Sequence, residues 1–254
     1  MKAVSMAFWL VLILGSGVSA QSDDRATEII RRADELLRGK TQQGTYKMMV
    51  IRPEWQRTMR FKFWSEGTEK SFILILEPAK ERGITFLKIK NEMWNYIPRI
   101  NRIIKIPPSM MLQSWMGSDF TNDDLVKESN VVEDYRHQLL GEEALEGEPA
   151  YKLELTPKAE SAVVWGKIVE WIRKKDYVPL RAEYYNERGE RIRTMLFKDI
   201  KRMGRRLIPT RMELFNEKKP GNRTVLVLEN VVFDRPIPRS VFTMTFLKRA
   251  RSLR

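Results

Sequence analysis

The side chains that ordinarily carry catalysis are scarce in this chain. It has one histidine, His137, and no cysteine. His137 lies in Asp134-Tyr135-Arg136-His137-Gln138, a strand-like stretch, and reads as a satisfied strand histidine. Neither a nucleophile–base–carboxylate triad nor a multi-histidine metal site is available from it. Asp119, Asp123 and Asp124 form a local acid cluster. Paired carboxylates serve acid–base chemistry or hold calcium. The Asp-x-x-x-Asp-Asp spacing, however, lacks the glycine and closing glutamate of an EF-hand loop, so helix capping and pairing with the helix dipole is the simpler reading. There is no glycine-rich phosphate loop and no Gly-x-Ser-x-Gly elbow. The expectation is a protein that is not an enzyme and uses no metal and no cofactor.

Large apolar side chains are what the sequence supplies instead, with 13 Met, 7 Trp and 11 Phe. In Met59-Arg60-Phe61-Lys62-Phe63-Trp64, one face carries Met59, Phe61 and Phe63, and the other adds Trp64 to Arg60 and Lys62. Phe72 to Leu76 and Val225 to Leu228 are apolar on both faces. Such strands need cover on both sides, or cover on one side and a ligand on the other. Flexible thioethers suit a surface that fits variable apolar ligands. Ordinary core packing accounts for the same composition.

The elements that position these residues follow from periodicity. Asp23 to Arg38 has Ile29, Ile30, Ala33, Leu36 and Leu37 at helical spacing, acids at its start and Gly39 as its stop. From Thr45 the period becomes two. Strands are expected at 45–51, 57–65, 71–77, 84–90 and 92–98, joined by links too short for parallel crossovers. Pro107 to Ser129 interrupts them as a helical insertion, with Ser109 and Thr121 or Asn122 as caps. Strands resume at 131–140, 150–156, 167–174, 178–185, 191–200, 207–216 and 223–233, and the segment 236–254 packs across the sheet. The fold class is therefore mainly β (α+β): a single curved antiparallel sheet with a few helices, as one domain.

The first twenty residues set the compartment. Lys2, the apolar run Ala7 to Leu14 and the small residues of Val18-Ser19-Ala20 have the layout of a secretory leader cleaved after Ala20. The apolar run is shorter than the roughly 20 residues that cross a bilayer. Residues 1–20 are thus the expected signal peptide and 21–254 the mature domain, and a disulfide-free exported chain fits a bacterial periplasm. The formal net charge is +13. Export argues against nucleic acid as partner. The basic surface is either simply solvated or attracted to anionic lipid head groups, a peripheral membrane contact, or to an acidic partner.

Met93-Trp94-Asn95-Tyr96-Ile97-Pro98, then Ile104-Lys105-Ile106-Pro107, then Gln113-Ser114-Trp115-Met116-Gly117-Ser118-Asp119-Phe120-Thr121-Asn122-Asp123-Asp124-Leu125, resemble the LolA-like family of outer-membrane lipoprotein-sorting proteins. More narrowly, they resemble the branch of uncharacterised periplasmic members often found near lipid exporters of the resistance–nodulation–division (RND) type. Arg38-Gly39 and Lys80 to Leu87 fit as well. The resemblance implies an open, incomplete antiparallel β-barrel closed by helices over an apolar cavity. It also implies a monomeric carrier of acylated lipoprotein or lipid cargo, with an inner-membrane RND-type exporter and an outer-membrane acceptor as partners. Strand alternation then nominates Met59, Phe61, Phe63, Phe72, Leu74, Trp94, Tyr96, Tyr184, Met195 and Met212 as the cavity wall. Met110, Met111, Trp115 and Met116 are nominated as the lid. Trp94 and Trp115 serve equally well as core anchors, and Gly117 to Asp119 read as a structural turn and cap. The alternative function is a periplasmic sensor or transporter-accessory module of the same fold.

Overall fold

The computed structural model describes residues 23–126, 131–161 and 163–250; the leader expected at 1–20 lies outside the described residues. Helix α1 (Asp24–Arg38) starts where the Asp23 side chain accepts a hydrogen bond from the Arg25 amide and stops at Gly39, whose φ is 65°. Its buried stripe is Ala26, Ile29, Ile30 and Ala33, the i, i+3, i+4, i+7 set that gives a helix one apolar face.

Six strands follow: β1 (Thr41–Ile51), β2 (Gln56–Glu66), β3 (Lys70–Glu77), β4 (Thr85–Ile89), β5 (Glu92–Ile97) and β6 (Arg102–Lys105). The insertion comes next, with 3-10 turns at Pro108–Met110 and Trp115–Gly117 and the short helix α2 (Asn122–Val126). Seven more strands are β7 (Tyr135–Leu145), β8 (Glu148–Pro157), β9 (Lys167–Arg173), β10 (Pro179–Tyr185), β11 (Arg191–Met203), β12 (Arg206–Asn216) and β13 (Arg223–Phe233). A 3-10 turn at Arg239–Phe242 and helix α3 (Met244–Arg249) end the described chain. Every strand expected from the sequence has a counterpart, but the one expected at 131–140 starts only at Tyr135, after a turn, and runs on to Leu145. The unexpected one, β6, is mostly exposed on both faces and so carries no alternation to read.

All thirteen strands form one antiparallel sheet in the order β6-β5-β4-β3-β2-β1-β13-β12-β11-β10-β9-β8-β7. It is two meanders joined where β1 pairs with β13. The edges, β6 and β7, do not pair with each other, so the sheet is an open half-barrel. They are consecutive in sequence, and the segment between them is the insertion. Among the described residues, that segment carries 3-10 turns and α2 rather than a further strand of the sheet.

Bulges bend the sheet. The register shifts at Thr45/Tyr46 and at Arg60/Phe61, beside the central strands, and bulged strands bend and twist more strongly. At Gly44 a Cβ would stand 2.3 Å from the Asn230 carbonyl oxygen and 2.8 Å from the Val231 Cα, so the approach of β1 to β13 at this bend requires glycine.

Both faces of the N-terminal meander are covered. Its inner face carries Tyr46, Met48, Met59, Phe61, Ile73, Ile75, Phe86 and Met93, packed with Trp115 of the insertion. Its outer face carries Phe72, Leu74, Leu87 and Tyr96, packed under Val241, Phe242 and Leu247 of the C-terminal segment. On the C-terminal meander, α1 covers the inner residues Leu153, Leu155, Ile168 and Ile172. Among the described residues, no helix is long and apolar enough to cross a membrane.

Candidate functional site

Between the inner face of the sheet, α1 and the insertion lies a cavity of about 300 Å³. That is the lower end of the range of small-molecule sites. Cross-strand register explains its wall. Residues paired across neighbouring strands point to the same face, and Met59, Met48, Leu226, Met212 and Phe197 form one such row over β2, β1, β13, β12 and β11. Phe61, Tyr46 and Leu228 form the next. Phe63 and Ile73 add to the wall from β2 and β3, and Trp115, Phe120 and Leu125 close it from the insertion. Ile30, Ala33 and Leu37 of α1 close the remaining side. Trp115 stands edge-on to Phe61 and Phe86, with ring centroids 5.8 and 5.4 Å away.

Of the wall nominated from the sequence, Phe61, Phe63, Tyr184, Met195 and Met212 line this cavity, and Met59 packs beside it in the Met48 row. Phe72, Leu74, Trp94 and Tyr96 do not: the structure puts them on the outer face, under the C-terminal segment. The cause is the β2–β3 hairpin. Its three-residue connection, Gly67 to Glu69, places Phe63 opposite Ile73 and Phe61 opposite Ile75, so odd-numbered residues share the inner face. Phe72 then pairs with Leu87 and Leu87 with Trp94, which carries the outer face across β4 and β5. A register change of one residue moves a whole strand's side chains to the other face.

The nominated lid is also divided. Trp115 is only 1% exposed and lines the cavity, while Met111 and Met116 pack on the inner core beside it. Met110 is 39% exposed and lies outside the cavity wall.

Polar groups gather at one end of the cavity. Arg193 of β11 donates two hydrogen bonds of 2.7 Å to the Asp124 carboxylate of α2. Its guanidinium is 4.3 Å from the Trp165 ring centroid and 4.4 Å from that of Tyr184. Burial pushes the Asp124 carboxyl up, but the adjacent Arg193 cation outweighs this and holds it below the usual range. Burial likewise raises the Tyr184 phenol well above its ordinary value. Glu170 of β9 also lines the cavity. Enclosure, with the nearby Asp34 carboxylate, raises its pKa to about 7. At the rim, Arg38 donates to Asp34 at 2.6 Å and the Lys88 ammonium donates to the Thr68 carbonyl at 2.6 Å.

Two members of the acid cluster, Asp119 and Asp124, are held by contacts within the fold. Asp119 accepts from Arg52 and from the Thr224 hydroxyl at 2.9 and 2.7 Å. Thr121 and Asp124 form a reciprocal cap at the start of α2. The buried His137 ring meets Thr27 Oγ1 at 3.0 Å and the Val131 carbonyl at 2.7 Å. Among the described residues, no group of three or more His, Asp or Glu side chains is placed to hold a metal ion.

Sequence reasoning missed Trp165, Glu170 and Arg193. Glu170 had a readable signal, an acid between Ile168 and Ile172 on one strand face. The Trp165–Arg193–Tyr184 stack had none, since three separate strands or strand ends assemble it.

An open antiparallel half-barrel with helices over an apolar cavity is the fold of the LolA-like lipoprotein-sorting proteins. The chain belongs to the family of uncharacterized proteins whose model matches residues 67–249. Solved structures agree. A DUF1329 family protein from Desulfovibrio piger superposes with a TM-score of 0.81 at 24% identity, over 89% of this chain and 99% of the other. A domain described as an outer membrane lipoprotein-sorting protein from Vibrio parahaemolyticus gives 0.78 at 24% identity, over 89% and 99%. The LolA superfamily protein NE2245 from Nitrosomonas europaea gives 0.73 at 27% identity, over 87% and 98%. No curated protein sequence matches.

Proposed function

We propose that the chain is a non-catalytic periplasmic carrier that shields the acyl chains of a lipid or lipoprotein on the way to the outer membrane. In this reading, residues 1–20 are cleaved on export and residues 21–254 act as one monomeric binding domain. An inner-membrane RND-type exporter and an outer-membrane acceptor are its partners, and its basic surface makes peripheral contact with anionic lipid. The observation that carries the reading is the cavity, walled by Met48, Met195, Met212, Phe61, Phe63 and Phe197. Each acyl CH2 taken out of water gains roughly 0.8 kcal/mol, so one chain in an apolar wall is held by several kcal/mol with no specific contact. Thioether side chains adapt to chains of different length.

The test is native mass spectrometry of protein purified from a periplasmic extract without detergent, followed by lipid analysis of what is released. A stoichiometric acylated ligand, lost in Met195→Glu while circular dichroism is unchanged, is the expected result. An empty protein that also takes up no fluorescent fatty acid would instead assign it to protein binding.

A further inference from the structure

Glu170 stands where the pattern calls for a hydrocarbon. Its neighbours on the same face of β9 are Ile168 and Ile172, and its cross-strand partners are Leu153 and Ala182, all buried. Met195 continues the row on β11. Among the described residues, Glu170 has no hydrogen-bond or ion-pair partner. Glu170 itself is half-buried, with its carboxyl open to the cavity; a carboxyl in such an apolar wall is costly unless it stays protonated or meets a partner that enters the cavity.

The groups around it are already engaged. From α1, Asp34 is held by Arg38 at 2.6 Å. From α2 and β11, Asp124 and Arg193 hold each other. Tyr184 of β10 stays neutral, and Tyr135 of β7 is buried beside the same group. His137 of β7 is turned to Thr27 and Val131. These charges cancel, so the surroundings of Glu170 are neutral when it is protonated and carry one negative charge when it is not; at the rim the Lys88 ammonium of β4, held by the Thr68 carbonyl, adds a positive charge to the cavity lining.

We propose that Glu170 is the polar anchor of the cavity: it hydrogen-bonds the uncharged ester or hydroxyl group at the root of an acyl chain, and it discriminates against ligands whose polar end is anionic. The proposal rests on the carrier reading and adds the ligand class. A protonated carboxyl donates to an ester carbonyl and accepts from a hydroxyl, whereas a carboxylate or phosphate placed here meets either like charge or an unpaired site. A free neutral glyceride and the glyceryl-linked chains of a lipoprotein share this chemistry.

Trp115 and Trp165 line the cavity, so tryptophan fluorescence reports its occupation. The experiment titrates monoolein, sodium oleate, oleylamine and a diacylglyceryl lipopeptide into the wild type and Glu170→Gln between pH 5.5 and 8.5. Because the Glu170 carboxyl titrates near pH 7, monoolein affinity should fall by up to about thirty-fold over that range in the wild type. It should stay flat in Glu170→Gln. Oleate should bind the wild type at least about tenfold more weakly than monoolein at pH 8.5, and the gap should close in the variant. A lipopeptide that binds with the same pH profile where monoolein does not would assign the anchor to lipoprotein; the reverse would assign it to free lipid. Identical profiles in two folded proteins overturn the proposal. So does oleylamine binding tightest at pH 8.5 in a Glu170-dependent way, because the group recognised is then a cation. If no acyl compound binds the wild type at any pH, the carrier reading itself fails. Should Glu170→Gln not fold, Glu170→Met fills the same volume and should bind without regard to head group or pH.

Discussion

Two pieces of chain close the open side of the half-barrel, and different forces hold them. Helix α1 is seated by Ala26, Ile29, Ile30 and Ala33 against Leu153, Leu155, Ile168 and Ile172. Its ends are tied more lightly, by the Asp23 amide to the His137 carbonyl at 2.9 Å and by Arg206 to the Leu36 carbonyl at 3.1 Å. The insertion has no regular apolar stripe. It is pinned by Trp115 and by three arginines, one from the β1–β2 turn and two from strands: Arg52 to Asp119, Arg57 to the Met116 carbonyl, and Arg193 to Asp124. A helix of 15 residues presents enough apolar area to find its seat without directional bonds. A segment of short turns does not, and its position comes from charge-assisted hydrogen bonds, which are strong and geometrically exacting. Apolar seating tolerates small slides; the arginine latches are made or broken.

The most severe way to break this contrast is Asp124→Ala, which leaves Arg193 buried and unpaired. The expected loss is about 3–5 kcal/mol, read by urea denaturation, with hydrogen exchange rising in the insertion before α1. Equal loosening of both covers would show that they are not separately held. Trp115→Ala should cost about 3–5 kcal/mol as well, through the cavity left between Phe61 and Phe86.

The pH dependence of the two sides has opposite sign. Glu170 has its pKa raised from 4.5 to about 7 in the folded protein. The folded state therefore binds more protons than the unfolded state in that window, and stability falls as pH rises through it. The loss is at most about 3 kcal/mol. Glu170→Gln should abolish it, so that the variant is the more stable protein at pH 8 and the two converge near pH 4. Asp124 has its pKa lowered by Arg193, so its contribution is present above the usual carboxylate range and is lost on acidification. Thermal denaturation of both proteins from about pH 2 to 8 checks both signs, the Asp124 loss falling below about pH 4. The mildest change is Thr121→Ala, which removes the cap of α2 and should cost about 1 kcal/mol; a larger loss would mean that α2 nucleates the whole insertion.

Much of the fold was legible because its signals are local. The α1 stripe, the strands and their turn residues lie within a few positions of one another along the chain. The wall was legible only in part. Phe61, Phe63, Met195 and Met212 were placed by alternation, but Phe72 and Leu74 sit in a strand that is apolar on both faces, where alternation carries no information about direction. Exposed β6 and the isolated Glu170 went unread for opposite reasons: one strand shows no burial pattern, and the other breaks its own.

By itself, the sequence determined two antiparallel meanders, an amphipathic first helix, an interrupting insertion and an abundance of large apolar side chains. Periodicity and turn residues are short-range properties that any reading of the chain contains. Only the tertiary structure decided which face of β3 to β5 looks inward, because the parity of the three-residue β2–β3 hairpin set it. The tertiary structure also brought Glu170, Tyr184 and Arg193 from three strands, and Asp124 from the insertion, to one end of the cavity, since proximity across a curved sheet depends on how the whole sheet bends.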